Sequence, residues 1–170
     1  MANTGIYQRR ASMAENEIDE VFKHISSGNN FLLSGGAGSG KTYSLIEVLK
    51  RIYTTNPKAN VACITYTNVA VNQIKERAPF LNLKASTIHD FLWDTIKSFQ
   101  KDLKKSLAEL IKNETIKYSG ESEITADLFK DICIEYREWV NIEKGEISHD
   151  QVISVSEYMF CNYPLLSDIV

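Results

Sequence analysis

The stretch Phe31 to Thr42, FLLSGGAGSGKT, limits what this chain can become more than any other, because it sets an apolar run, a glycine-rich turn and a helix start in direct succession. Gly35, Gly40, Lys41 and Thr42 satisfy G-x-x-x-x-G-K-[ST], with Gly36 and Gly38 as further glycines inside the loop. Backbone N–H groups can surround a polyphosphate only where the chain wraps closely about it, which requires residues without Cβ atoms. A helix opening at Gly40 aims unpaired N–H groups and the positive end of its dipole at the same place. Lys41 adds an ammonium for the β- and γ-phosphates, and the Thr42 hydroxyl is a ligand for Mg²⁺. The expectation is a P-loop formed by Gly35, Gly36, Ala37, Gly38, Ser39, Gly40, Lys41, Thr42 and Tyr43 and taking ATP with Mg²⁺. Lys41 and Thr42 are its catalytic pair, Thr42 its metal ligand. The flanks agree: Phe31, Leu32 and Leu33 are apolar as a buried central strand should be, and Leu45, Val48, Leu49 and Ile52 share one face of the following helix.

A chain of 170 residues, 44% hydrophobic and 24% charged, can bury one core with a small appendage. Its net charge of -3 excludes a global basic field, so any nucleic-acid contact must be local. Cys63, Cys133 and Cys161 are odd in number and in no C-x-x-C pairing, which argues against a disulfide framework or a zinc site and for a reducing, cytoplasmic compartment. His24, His89 and His149 stand isolated from one another in the sequence. The N-terminal MANTGIYQRR lacks the apolar run of a signal peptide, and no stretch reads as a transmembrane span, so no membrane is expected as a partner.

Ser12-x-x-Glu15 has the form of a capping box for a helix from about Met13 to Ser26, with Ile18, Val21, Phe22 and Ile25 on one stripe. After the P-loop helix, Asn56-Pro57 marks a turn and Val61 to Tyr66 a second buried strand, making a βαβ unit. Thr67 or Asn68 caps a helix to about Arg77, with Val71 and Ile74 inward and Pro79 beyond its end. Leu81 to Ser86 reads as a short strand. Thr87 with Asp90 then opens one long amphipathic helix carrying Leu92, Ile96, Phe99, Leu103, Leu107 and Leu110, with Lys97, Lys101, Lys104, Lys105 and Lys112 on its other face. Residues 113–145 have weak periodicity and read as irregular. Ser148 with Gln151 caps a last helix, striped by Val152, Val155, Met159 and Phe160, that ends near Pro164.

Three segments in order resemble one family, the superfamily 1 DNA helicases of the UvrD and Rep type. Gly36 to Thr42 has the G-A-G-S-G-K-T wording that family favours. Ile64-Thr65-Tyr66-Thr67-Asn68, running on to Arg77, is similar to its motif Ia, and Ser86-Thr87-Ile88-His89-Asp90-Phe91 to its motif Ib. A weaker likeness covers Gly145 to Leu166, which is similar to the helix ahead of the family's DExx strand. Val69 stands where motif Ia usually has lysine, Ile88 where motif Ib has phenylalanine, and no glutamine lies between Glu15 and Lys23 to read adenine.

The resemblance implies an α/β fold of the P-loop NTPase, RecA-like kind, a parallel sheet flanked by helices with a mostly helical inserted subdomain. It implies residues 1–91 as the RecA-like core, 92–145 as the insertion and 146–170 as a helix returning to the core. It also implies single-stranded or partly duplex DNA as partner, a second RecA-like domain of the same polypeptide, and DNA contacts at Tyr66, Thr67, Asn68, Thr87 and His89. An aromatic such as Tyr66 at a strand exit offers a face for base stacking, and helix starts at Asn68 and His89 suit phosphates or base edges. The function implied is that of the N-terminal ATP-binding domain of an ATP-dependent DNA helicase, coupling ATP binding and hydrolysis to single-stranded DNA translocation and unwinding in the complete protein. A P-loop nucleoside or nucleotide kinase and a nucleotide-gated interaction module are the alternatives, the first disfavoured by the scatter of Arg9, Arg10, Arg51, Arg77 and Arg137. No aspartate of the chain follows an apolar strand as a Mg²⁺-holding carboxylate should, so the chain by itself is expected to bind nucleotide weakly and to hydrolyse it no faster than background.

Overall fold

The computed structural model describes residues 16–36, 40–120, 125 and 128–167. The Ser12/Glu15 cap and the loop residues Ala37, Gly38 and Ser39 lie outside that range. The chain is mixed α/β and divides into two compact units, Met1–Cys63 with Thr67–Ala85, and Ile64–Tyr66 with Ser86–Val170. Among the described residues no helix is long and apolar enough to cross a membrane.

The first unit contains helix α1 (residues 16–26), α2 (Lys41–Thr55) and α3 (Asn68–Arg77). Strands β1 (Val61–Thr65) and β2 (Leu83–Thr87) form a two-stranded sheet joined through α3. The apolar stripe of α2 supplies Ile46 and Leu49 to a core completed by Cys63, Val71, Ile74, Ala78 and Ala85. Tyr53 closes one side by stacking on Phe80 with ring centroids 4.3 Å apart. Arg51 ties α2 to α1, pairing with Asp19 while its guanidinium lies 4.6 Å over the Phe22 ring.

The strand expected at Phe31 to Leu33 is not formed. Residues 31–36 run without regular structure, and Phe31, Leu32 and Leu33 are 46%, 91% and 36% exposed. A strand needs a neighbour to take its N–H and C=O groups. Among the described residues only β1 and β2 pair in this sheet, so an apolar composition alone leaves 31–33 unpaired.

In the second unit the single long helix expected from Thr87 onward is two, α4 (Ile88–Ile96) and α5 (Gln100–Lys112), broken at Lys97 to Phe99. The break has a local cause. The Gln100 carboxamide donates to the Lys97 carbonyl (2.9 Å) and to the Ile134 carbonyl (3.1 Å), and accepts from the Ile134 N–H (2.8 Å). It thus satisfies a carbonyl freed at the end of α4 and clasps the segment after Phe129 to the start of α5. The irregular stretch then forms the short strands β3 (Glu135–Tyr136) and β4 (Glu146–Ile147), which pair in parallel with Tyr136 opposite Ile147. Between them lies one 3₁₀ turn, Ile142–Lys144, closed by Gly145 at φ +78°. There a Cβ would come within 2.9 Å of the Cys133 carbonyl oxygen, so glycine is required on both counts.

Helix α6 (His149–Asn162) begins where the Ser148/Gln151 pattern predicts, with the Ser148 N–H donating to the Gln151 side chain at 2.9 Å. A four-residue helix α7 (Pro164–Ser167) follows. Helices α4 and α5 both pack on α6, and Ile96, Leu103, Leu107, Phe129, Ile134, Ile147, Val152, Val155 and Met159 are at most 1% exposed in the resulting core.

Candidate nucleotide site

The start of α2 differs from the starts of the other long helices. Thr67 caps α3, Thr87 and Asp90 cap α4, Asp102 stands in the first turn of α5, and Asp150 in that of α6. The first turn of α2 has no acidic residue, and among the described residues no side chain caps it. Among those residues its leading N–H groups and the positive end of its dipole are therefore neither bonded by a side chain nor neutralised by a carboxylate, which is the arrangement an anion exploits. Gly40 precedes it at φ +88°, a left-handed conformation that glycine adopts without strain.

Lys41, the first residue of α2, turns its ammonium back along the loop and donates to the carbonyl oxygens of Gly35 (2.6 Å) and Gly36 (2.8 Å). Two of its three donors are so used, and the charge stays at the surface. Thr42 and Tyr43 are exposed beside it, whereas Ser44 turns inward and is buried. The donor set fits a nucleotide with Mg²⁺: an ammonium, uncapped amides and an exposed threonine hydroxyl, hard donors and acceptors of the kind polyphosphate and magnesium require.

The residues expected to meet DNA differ in availability. Tyr66, at the end of β1, is 87% exposed, so its ring is not a core residue. Thr67 spends its hydroxyl accepting the Ala70 N–H (3.2 Å), and Asn68 stands exposed as the first residue of α3. Thr87 is buried, its hydroxyl accepting the Asp90 N–H (3.2 Å) and donating to the Asp90 carboxylate (2.8 Å). His89 is half-buried one residue into α4.

The histidines are not all isolated. The rings of His89 and His149 meet edge to face at 4.7 Å, and Tyr136 meets His149 in the same way at 5.0 Å. The packing of α4 on α6 makes this contact, and sequence spacing could not reveal it. The two caps, Thr87/Asp90 and Ser148/Gln151, were its one legible sign, because each puts a histidine in a first helical turn. Burial, and then the Asp90 carboxylate, push the Tyr136 phenol above its ordinary pKa. Among the described residues no group of three or more His, Cys, Asp or Glu is placed to hold a metal ion.

Comparison with known proteins gives this geometry a lineage. Residues 19–162 match the family model described as "AAA domain". The Gabija protein GajB of Bacillus cereus (strain HuB5-5) is 37% identical over 144 residues, covering 73% of this chain and 21% of that protein. A protein of Lactobacillus johnsonii named as a subunit of an ATP-dependent helicase/nuclease is 47% identical over 51 residues, 29% of this chain and 4% of that protein. Its counterpart in Lactobacillus gasseri is 44% identical over 52 residues, 30% of this chain and 4% of that protein. The chain thus spans about a fifth or less of the length of these relatives. No solved structure matches it. With most of its length matched, the chain belongs to the AAA-domain family, in the form that makes the N-terminal domain of UvrD- and Rep-type helicases.

Proposed function

We propose that the chain is the ATP-binding domain of an ATP-dependent DNA helicase, which couples ATP binding and hydrolysis to movement along single-stranded DNA together with a second RecA-like domain. The observation that carries the nucleotide part is the bare start of α2 with the Lys41 ammonium beside it. Lys41 would neutralise the β- and γ-phosphates, the amides from Gly40 onward would bond their oxygens, and Thr42 would hold Mg²⁺. Bound Mg²⁺ supplies charge neutralisation at the phosphates. The chain's own part is to orient the polyphosphate along the loop and to exchange the Gly35 and Gly36 carbonyls for phosphate oxygens at the Lys41 ammonium.

The helicase part draws support from the family and from Tyr66, whose exposed ring is suited to stacking against a base. Residues 92–145 are proposed as the inserted subdomain and 146–170 as the return to the core. The hydrolytic carboxylates and an arginine finger are assigned to the remainder of the polypeptide, and a cytoplasmic location goes with this reading. Calorimetric titration of ATP and Mg²⁺ into the chain and into Lys41→Ala tests it. Loss of charge-assisted bonds worth about 1.5 to 3 kcal/mol should weaken binding by roughly ten- to a hundred-fold. Equal affinity in the two proteins would remove the site. Tyr66→Ala should weaken single-strand binding by about 1 to 3 kcal/mol without lowering thermal stability. A matching loss of stability would assign the ring to packing.

A further inference from the structure

Four rings from three elements meet near the start of α4. His89 and Trp93 lie one turn apart on α4, His149 opens α6, and Tyr136 belongs to β3. The His149 ring meets that of His89 at 4.7 Å with 67° between the planes and that of Tyr136 at 5.0 Å with 76°, while Tyr136 tilts against Trp93 at 6.1 Å. Through the α4 backbone the circuit closes on itself. Burial accounts for Trp93 and Tyr136, which pack against the core of the second unit, but not for the two imidazoles. His149 is exposed and His89 half-buried, at the rim of a core that Ile96, Val152 and Val155 already enclose.

A functional imidazole is ordinarily oriented by a hydrogen bond to one of its nitrogens, which also sets where the proton sits. Among the described residues no hydrogen bond reaches the imidazole of His89 or of His149. Rotation about the last bond of a histidine side chain is broad when nothing opposes it. An edge-to-face partner does oppose it, because turning either ring out of that arrangement forfeits the contact. What orients His89 is therefore His149. Tyr136 holds His149 in the same manner, and is itself fixed by the register of β3 on β4, where it stands opposite Ile147. Thr87, two residues before His89, has its hydroxyl engaged by Asp90, whereas no protein group among the described residues engages the His89 nitrogens.

We propose that His149 and Tyr136 are positioning residues for His89: their rings hold its imidazole in one orientation, from which it bonds a phosphate or base edge of a single strand. The inference rests on the reading of His89 as a DNA contact and adds to it the two side chains on which that contact depends. A ring oriented in advance need not be ordered when the strand arrives, so less of the contact's free energy is lost to ordering. His149 acts through His89 and not on the strand directly, and it does so by the shape of its ring and not by its nitrogens. Both supports lie outside the segment 86–91 that carries the resemblance, in α6 and β3, and reach His89 only through the packing of α4 on α6.

The experiment measures single-strand affinity at fixed low salt, the NMR signals of the His89 ring without DNA, and the unfolding midpoint. The proteins are the chain, His89→Ala, His149→Ala, His149→Phe, the double variant His89→Ala with His149→Ala, and Tyr66→Ala. His89→Ala should weaken binding roughly tenfold, as the loss of one hydrogen bond to a charged group does. His149→Ala should weaken it by about two- to tenfold, the worth of one aromatic pair, and should shift and broaden the His89 ring signals. In the His89→Ala background the change at 149 should cost nothing further, since its route to the strand is gone. His149→Phe keeps an edge-to-face ring without nitrogens and should restore both the affinity and the His89 signals. If His149→Phe binds as weakly as His149→Ala, or if the two alanine losses multiply in the double variant, His149 meets the strand itself, and the positioning role falls while the DNA reading stands. A loss in His149→Ala that follows a lowered midpoint and leaves the His89 signals unmoved means plain packing and also overturns the proposal. Full affinity in His89→Ala, with a loss in Tyr66→Ala, removes His89 from the interface and its supports with it but keeps the helicase reading. A chain to which no single strand binds overturns both.

Discussion

The unit that holds the P-loop and the unit built on α4, α5 and α6 are finished to different degrees. In the second, Ile96, Leu103, Leu107, Phe129, Ile147, Val152, Val155 and Met159 are fully enclosed, and the Gln100 carboxamide pairs with both backbone groups of Ile134. In the first, the core is a smaller set around Leu49, Ile74 and Ala78, while Phe31, Leu32, Leu33 and Leu81 remain in water. The difference teaches where each kind of order comes from. Helices α4 and α5 each find a partner for their apolar face in α6, far along the sequence. A strand leading into a phosphate loop is stable only when other strands flank it. Segments that engage ligands are also commonly drawn from the less stable end of a structure.

The sharpest way to break this contrast is to remove one large side chain from each unit. Leu107→Ala leaves a cavity in a fully enclosed site and should cost about 2 to 5 kcal/mol. Leu32→Ala removes a side chain that is 91% exposed and should stay within about 0.5 kcal/mol. Denaturant unfolding of the two variants decides it: similar losses would mean that Leu32 is covered in solution and that the first unit is as complete as the second.

A second variant sharpens the account of the helix break. Gln100→Leu keeps the side-chain volume but orphans the N–H of Ile134 and leaves its C=O only the weak Cys133 thiol as donor, at a cost of about 1 to 3 kcal/mol. Amide exchange should rise first at Ile134. If stability is unchanged, water replaces the carboxamide, and the break at Lys97 to Phe99 has another cause.

These two sites also mark how far the sequence could be read. The caps at Thr67, Thr87 and Ser148, the strand at Val61 and the start of α2 were all legible, because each is a short-range pattern of polar and apolar residues whose physics is complete within a turn or two. What escaped was non-local. Phe31 to Leu33 has a strand's composition without a strand's neighbour. The apolar spacing of Leu92 to Leu110 runs smoothly across a break made by Gln100 with a backbone segment far along the chain. His89 and His149 meet only because α4 packs on α6.

The caps offer a smaller comparison. Thr67 accepts one N–H, whereas Thr87 accepts one and also donates to Asp90. Replacing either threonine with alanine should cost about 0.5 to 2 kcal/mol, with Thr87 toward the upper end because its change also strips a bond from the carboxylate. Thermal unfolding of the pair orders them. An equal effect would show that the Asp90 carboxylate finds water as readily as it finds Thr87.

The smallest expected effect concerns pH and the three cysteines. Cys133 and Cys161 are exposed, and Cys63 is buried on β1, where burial raises its thiol above the ordinary value. In the unfolded chain a thiol ionises near about 8.5. The folded chain holds the Cys63 proton to higher pH, so between the two values the native state carries more protons than the unfolded one and stability falls as pH rises. The contribution is therefore whole below about 8.5 and is lost as pH climbs from there through the folded value, at no more than about 1.4 kcal/mol per pH unit. Unfolding measured at several alkaline pH values should show a slope that is shallower in Cys63→Ala and unaltered in Cys133→Ala. Thiol alkylation of the native chain should consume Cys133 and Cys161 first and reach Cys63 only at the rate of opening of the β1 region. If Cys63 reacts as fast as the other two at neutral pH, then the core beneath β1 opens freely, and the first unit is looser than its enclosed residues imply.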